Sequence, residues 1–386
     1  MTSTQFLEVA ISISVQVALL VLAAEGIGRS VRGNDTRCRL WALCYVAILL
    51  VLGAGLLLPH PRLARPWAAV HAEIEVAVVS TEQFAGGVLL TVWLTGAAVS
   101  LAGMIVGTFR ATRFLRTCTV LPPDRLPPGA RDSAGAGRRG RPVRFLTSDR
   151  IAGPFCWHFH RPAVVLPDFT LQFDPAKLAA ILRHELKHLD GGHPLQLFVQ
   201  RLVEIVFWFH PLVWWASRRA ALAREFACDD AAVDTPADVV NYLRCLLAIA
   251  EKGSAEGGRS PASLFFGRDD SLIALRARRL VALAETCCHR KTTPVLESAA
   301  LVGLLAVAFL IGSLWLPVDA LASPRARWSP WPRWTAGALH DLGIPVRDFE
   351  AYHTRVSLEE LREACAAEEP RIITGSRHQS GPRDRH

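Results

Sequence analysis

The sequence predicts a mainly α-helical, multi-pass membrane protein. Four transmembrane helices are expected, with an α+β metal domain and its small β-sheet between the third and the fourth. Three observations lead there. Four apolar runs reach the ~20 residues that a spanning helix needs. Arginine clusters follow the first and third of them and set an orientation. Between the third and fourth lie short β-type segments and an amphipathic helix that carries His-Glu-x-x-His.

Phe6 to Ala24 is the first run, with Glu8 near one end and Glu25 beyond the other. Its start lacks the basic segment of a cleaved secretory signal, so it reads as an anchor. Arg29, Arg32, Arg37 and Arg39 form a basic loop, and Leu40 to Leu58 is an uncharged second run. Residues 59 to 83 read as a loop of mixed charge. Phe84 to Phe109 is the third run, rich in the Gly and Ala that allow helices to approach closely. Arg110, Arg113 and Arg116 follow it. This charge pattern puts both termini outside and residues 110 to 297 in the cytoplasm. Residues 119 to 141, rich in Pro, Gly and Arg, read as a flexible linker.

Residues 142 to 297 are the expected metal domain. Val143 to Leu146 and Ala163 to Leu166 read as strands, separated by Gly153-Pro154 and a turn at Arg161-Pro162. Such a sheet either offers an edge for an extended peptide or only packs the metal helix. Asp174-Pro175 marks a helix start, and Leu178, Ile181, Leu182, Leu186 and Leu189 recur at helical spacing. Gly191-Gly192 ends that helix. Leu195 to Ala216 is apolar, but Gln200, Arg201 and Glu204 interrupt it and His210-Pro211 breaks it. A charge at the bilayer centre costs at least ~2.5 kcal/mol, so this stretch reads as interfacial, dipping into the membrane, or core, and not as a span. Residues 251 to 271 read as a polar loop and Leu272 to Ala284 as a helix with Arg276, Arg278 and Arg279. Ser298 to Leu316 is the fourth run. The tail from 317 to 386 holds a helix-prone patch, Leu339 to Ala366, and a polar end expected to be disordered.

Composition narrows the classes. Half of the residues are hydrophobic, and a mean hydropathy of +0.25 is high for a soluble enzyme. The net charge of +8 comes mostly from arginine, and neither a zinc-finger spacing nor an RNA-binding signature accompanies it. The expected partner is the lipid bilayer, with no direct nucleic-acid partner. The nine cysteines form no Cys-x-x-Cys pair, which fits reduced thiols. The four runs carry essentially no charged groups near their middles, which argues against a transporter.

The chemistry gathers at Arg183-His184-Glu185-Leu186-Lys187-His188 and Glu225-Phe226-Ala227-Cys228-Asp229. Residues four apart share a helix face, so His184 and His188 can aim at one metal ion. Glu185 sits one step round, placed to take a proton from water at the metal. A zinc site needs a third protein ligand. Glu225 and Asp229, also four apart, are the best candidates, with Glu225 as ligand and Asp229 steadying a histidine. A rival pattern with a third histidine needs it at position 194, which is Pro. His193 falls one residue short, and no methionine follows downstream. His210 is a further candidate ligand, with a structural role at the helix turn preferred.

Three phrases together resemble the integral-membrane zinc peptidases of the BlaR/MecR type: Leu182 to His188, Trp208-Phe209-His210-Pro211-Leu212-Val213-Trp214-Trp215, and Glu225 to Ala231. The resemblance covers roughly residues 1 to 316. It implies a gluzincin-like zinc domain with one zinc ion per chain. The ligands would be His184, His188 and Glu225, the base Glu185, and Asp229 a supporting acid. It implies regulated proteolysis in signal transduction, acting on a cytoplasmic repressor of winged-helix type or on the protein itself, and leaves a homodimer open. About seventy residues follow the fourth run, without the Ser-x-x-Lys of a penicillin-binding domain, so β-lactams are not the expected signal. The alternative function is a zinc-binding membrane sensor or scaffold that cuts nothing.

Overall fold

The computed structural model describes residues 3–58, 60, 72–127, 130, 142–157, 161–255, 270–286 and 293–316. Cys287-Cys288 and the tail from 317 lie outside the described residues, as do 256–269 of the loop expected at 251–271 and positions 128, 129 and 131–141 of the expected linker. The helices, in chain order, are α1 (Ser3–Ser30), α2 (Asn34–Leu57), α3 (Ala72–Leu115), α4 (Pro175–Asp190), α5 (His193–Val206), α6 (Pro211–Ala232), α7 (Pro236–Ala255), α8 (Asp270–Thr286) and α9 (Pro294–Gly312). Four strands, β1 (Thr119–Val120), β2 (Arg144–Ser148), β3 (Phe155–Trp157) and β4 (Ala163–Pro167), and two short 3-10 turns, Pro123–Arg125 and Asp168–Gln172, complete the described elements.

Among the described residues, α1, α2, α3 and α9 are long and apolar enough to cross a membrane. The chain is a multi-pass membrane protein, mainly helical, with one small sheet. The helices outrun the apolar runs that announce them. At 1.5 Å per residue α3 is about 66 Å long, twice the ~30 Å of hydrocarbon. Its first turns occupy 72–83, a stretch expected to be loop, because helical hydrogen bonding continues where hydrophobicity stops. The chain divides into two compact units. Of the described residues, the smaller holds 3–11, 57, 58, 60, 72–90, 315 and 316; within it Trp315 Nε1 donates to Glu8 at 2.6 Å and its ring stacks on His60. The larger holds 12–56 and 91–314 and contains everything below.

The sheet runs β1-β2-β4-β3. β2 and β4 pair in parallel, Phe145 against Val164 and Leu146 against Val165, while β1 and β3 flank them antiparallel. Period two then sorts the side chains. Phe145, Val164 and Leu166 pack with Leu178, Ile181, Leu182 and Leu189 of α4, whereas Leu146, Ala163 and Val165 pack with Phe114 at the end of α3. The stretch expected to be a flexible linker is ordered at its start: β1 joins the sheet, and Leu121, Leu126 and Ala130 are buried in the α4 cluster. Apolar anchors between the prolines hold it down.

α4 forms as its punctuation predicts. The Asp174 carboxylate accepts from the Ala176 N–H at 3.1 Å, Pro175 opens the helix, and Gly192 leaves it at φ +65°. The apolar stretch after it is a helical hairpin, α5 turning into α6 at His210-Pro211. Its tip packs on α3. Trp93 Nε1 donates to the Val206 carbonyl at 2.8 Å, and Trp208 Nε1 to the Trp93 carbonyl at 3.3 Å. A Cβ on Gly96 would overlap the Trp208 ring, whereas one on Gly103 would meet nothing within 4 Å. We therefore expect Gly96→Val to destabilise the protein by about 1–3 kcal/mol, and Gly103→Val by less, in thermal unfolding of the micelle-bound chain.

Candidate metal centre

The buried positions of α6 are mostly small (Ala216, Ala220, Ala223, Ala227), which lets α4 pack closely against it. Ala180 of α4, Ala232 of α6, Val239 and Tyr242 of α7 and Leu280 of α8 close the same core. Four helices thus converge on one group of side chains. One turn apart on α4, His184 and His188 bring their Nε2 atoms to 3.3 Å. From α6, Glu225 Oε2 lies 3.6 Å from His184 Nε2, and its Oε1 lies 3.5 Å from His188 Nε2. Zinc–nitrogen bonds of 2.0–2.1 Å at tetrahedral angles put neighbouring donors about 3.4 Å apart. The donor set and its spacing therefore fit zinc. Cys228 also belongs to the neighbourhood, since its Sγ lies with one donor atom of each histidine in a group whose members are within 4.8 Å of one another. Glu185 is buried beside them on α4.

A second layer surrounds the three donors. Asp229 has no solvent exposure. Its Oδ1 lies 3.2 Å from His184 Nδ1, and it accepts from Tyr242 at 3.0 Å and from Arg276 at 2.6 and 3.0 Å. Tyr242 Oη is also 2.8 Å from His184 Nδ1. Arg276 reaches Glu225 Oε2 at 2.8 Å, so one guanidinium faces both carboxylates. On the other side His193 Nδ1 lies 2.9 Å from His188 Nδ1. With His188 Nε2 facing the donors, its Nδ1–H donates to His193. The His193 Nε2–H then donates to Cys38 Sγ of α2 at 3.4 Å, and the Cys38 thiol to Gln196 at 3.2 Å.

These contacts set the charges. Burial pulls His184 down, but hydrogen bonds to Asp229 and Glu225 overcome it and raise the imidazole to about 9. Burial holds His188 at about 3 and His193 at about 2, with neighbouring positive charge adding to both. Burial raises Glu225 and Asp229, but Arg276 and the neighbouring histidines together outweigh it: Asp229 falls to about 2 and Glu225 well below its usual range. Glu185 is raised to about 7, chiefly by burial. Burial, followed by the charges of Glu225 and Glu185, pushes the Cys228 thiol well up.

His184, Glu185, His188, Glu225 and Asp229 are thus brought together. His210, a candidate ligand from the sequence, stands elsewhere: it precedes α6 and its Nε2 meets the Ser14 carbonyl at 3.2 Å, a structural contact with α1. Tyr242 and Arg276 were not foreseen. They lie 58 and 92 residues from His184, and no local spacing announces them.

A match to the BlaR1 peptidase M56 family extends over residues 4–272. The chain belongs to this family. It is also similar to the regulatory protein BlaR1 of Bacillus licheniformis, with 26% identity over 156 residues, 40% of this chain and 26% of that protein. The chain therefore spans about a quarter of that relative's length. M56 membership, with a His/His/Cys cluster able to coordinate a metal at His-x-x-x-His spacing, supports a zinc metallopeptidase in general terms.

Partners that orient a metal-binding histidine typically matter 10–100-fold in metal affinity. His193→Leu is expected to weaken zinc binding by about that factor, with His193→Gln recovering part of it, in competition with a chelating dye. Removing Arg276 takes the guanidinium from buried Asp229 and leaves it only Tyr242 and His184, so Arg276→Met should cost about 3–5 kcal/mol in denaturant unfolding.

Proposed function

We propose that this chain is a membrane-embedded zinc endopeptidase of regulated proteolysis, with one zinc ion per chain. The observation that carries the reading is the triangle of His184 Nε2, His188 Nε2 and the Glu225 carboxylate, with buried Glu185 beside it. Those three would hold the metal. Glu225 is preferred to Cys228 because its oxygens already stand at tetrahedral separations, while the Cys228 thiol is kept protonated and contacts His193 Nδ1 at 3.5 Å.

Zinc bound there would supply Lewis acidity, lowering the pKa of water toward ~7 and polarising the scissile carbonyl. Glu185 takes the proton of the attacking water and returns it to the departing amine. Its raised pKa suits both halves of that exchange. Asp229, through His184 Nδ1, and His193, through His188 Nδ1, keep both Nε2 lone pairs directed at the donor group. The rival reading is a sensor or scaffold with a structural zinc, which fills all four positions with protein ligands. Asp229 as a fourth ligand would favour that reading, but Tyr242 and Arg276 occupy its oxygens, which favours a position left for water.

The zinc domain is read as cytoplasmic and both termini as outside, from the arginine distribution. The proposed substrate is a cytoplasmic repressor of winged-helix type or the chain itself.

Glu185→Gln is expected to keep one zinc per chain and abolish cleavage, measured as metal content and proteolysis of the purified full-length protein. Retained proteolysis would remove Glu185 from the base role. Wild-type zinc content without any proteolysis would favour the scaffold. The base works ionised, so activity should rise with pH through its pKa. Bound zinc lowers that value, so the acid limb of kcat/KM should lie at or below about 7. An acid limb well above 7 would contradict the assignment.

A further inference from the structure

We propose that the α5–α6 hairpin is inserted in the lipid, its tip at the middle of the bilayer, and so roots the metal group close to the membrane surface. The depth follows from what the tip touches. His210 bonds the Ser14 carbonyl, at the middle of the apolar run from Phe6 to Ala24. Val206 and Trp208 pair with Trp93, and the Trp208 ring presses on Gly96, near the middle of the run from Phe84 to Phe109. Two spanning helices independently give the same depth for one turn.

Distances along the helices agree. From Ser14 to Glu25, α1 climbs about 16 Å, and from His210 to Arg219, α6 climbs about 14 Å. Half of the hydrocarbon is about 15 Å. Glu25 and Arg219 meet at 2.5 Å, as two residues at one depth should. Glu225 lies about 9 Å further along α6.

The surface chemistry fits acyl chains. Leu195, Phe209 and Trp214 are exposed, at 63%, 46% and 45%, where water would penalise them. The polar groups that forbid a simple span turn inward. Glu204 accepts from Gln200 at 2.8 Å, from Ser217 at 2.5 Å and from Arg201 at 2.6 Å. Arg224 donates to Gln200 at 2.9 Å, and Tyr45 of α2 meets Ser217 at 3.0 Å. Polar side chains at membrane depth face the protein interior and pair in this way. The hairpin enters and leaves by one side, since α4 and the metal group stand at its open end. This insertion does not depend on whether the chain cuts peptides.

The test reconstitutes the full-length chain in phosphatidylcholine–phosphatidylglycerol vesicles, with a fluorescent coumarin amino acid at position 209, 195 or 247. Doxyl groups on the lipid at acyl carbon 5 or 12 serve as quenchers, and iodide reports water. Position 209 should be quenched more by carbon 12, position 195 more by carbon 5, and position 247, exposed on α7, by iodide. Iodide quenching at 209, or stronger quenching there by carbon 5 than by carbon 12, overturns the proposal. Hydroxyl-radical footprinting of the unmodified chain in the same vesicles gives an answer free of substitution. Phe209 and Trp214 should stay unoxidised while Leu247 reacts, and oxidised Phe209 overturns the insertion.

Discussion

A carboxylate with no access to water, Asp229, is the constraint on which the site depends. A buried charge is tolerated only when paired and hydrogen-bonded, so Asp229 on α6 collects Tyr242 from α7, Arg276 from α8 and the ring of His184 from α4. Satisfying one anion therefore fixes four helices against each other. It also fixes a tautomer: with Asp229 and Tyr242 at Nδ1, the lone pair of His184 belongs to Nε2, which faces His188 and Glu225. Arg276 shares its charge with Glu225, which keeps that carboxylate ionised and close to the imidazoles.

Much of this was legible because it is local. The cap at Asp174, the spacing of Leu178, Ile181, Leu182 and Leu189, and the glycine stop at Gly192 all act within one helix. The apolar runs likewise report lipid-sized helices, though not where those helices end, since Ala72 to Gln83 is helical without being uniformly apolar. β1 was hidden by the prolines and glycines around it, and β3 is three residues long, too short for its alternation to show. Arg276 looked like one arginine in a basic face. Only the return of α8 onto α6 makes it the partner of Asp229, and no spacing encodes that return.

The metal group is not a separate head on a membrane anchor. Asp35 at the start of α2 pairs with Lys187 of α4 at 2.9 Å, Asn34 with Asp230 of α6 at 2.7 Å, and Cys38 with His193 at 3.4 Å. Arg279 of α8 also pairs with Asp230. The end of one spanning helix thus grips both helices of the candidate metal site. Through His193 it stands two hydrogen bonds from the His188 ring. A displacement of α2 along its own axis would be felt at that ring before it was felt in the sheet, because packed cores move as pieces and do not stretch.

The proton state of the paired histidines completes the argument. Two imidazole nitrogens 3.3 Å apart repel through their lone pairs unless something positive stands between them. The surroundings give the two rings opposite tendencies, with His184 raised to about 9 and His188 lowered to about 3, so near neutrality one proton serves the pair. A metal ion entering the triangle must displace that proton, and affinity therefore weakens as pH falls. The same carboxylates that raise His184 favour the ion that replaces its proton, so the second layer tunes proton and metal together. What separates the two outcomes is coordination: a metal ion can take both Nε2 lone pairs and a Glu225 oxygen at once, where a proton bridges only two of them, and Arg276 stands behind against Glu225 and Asp229 alike.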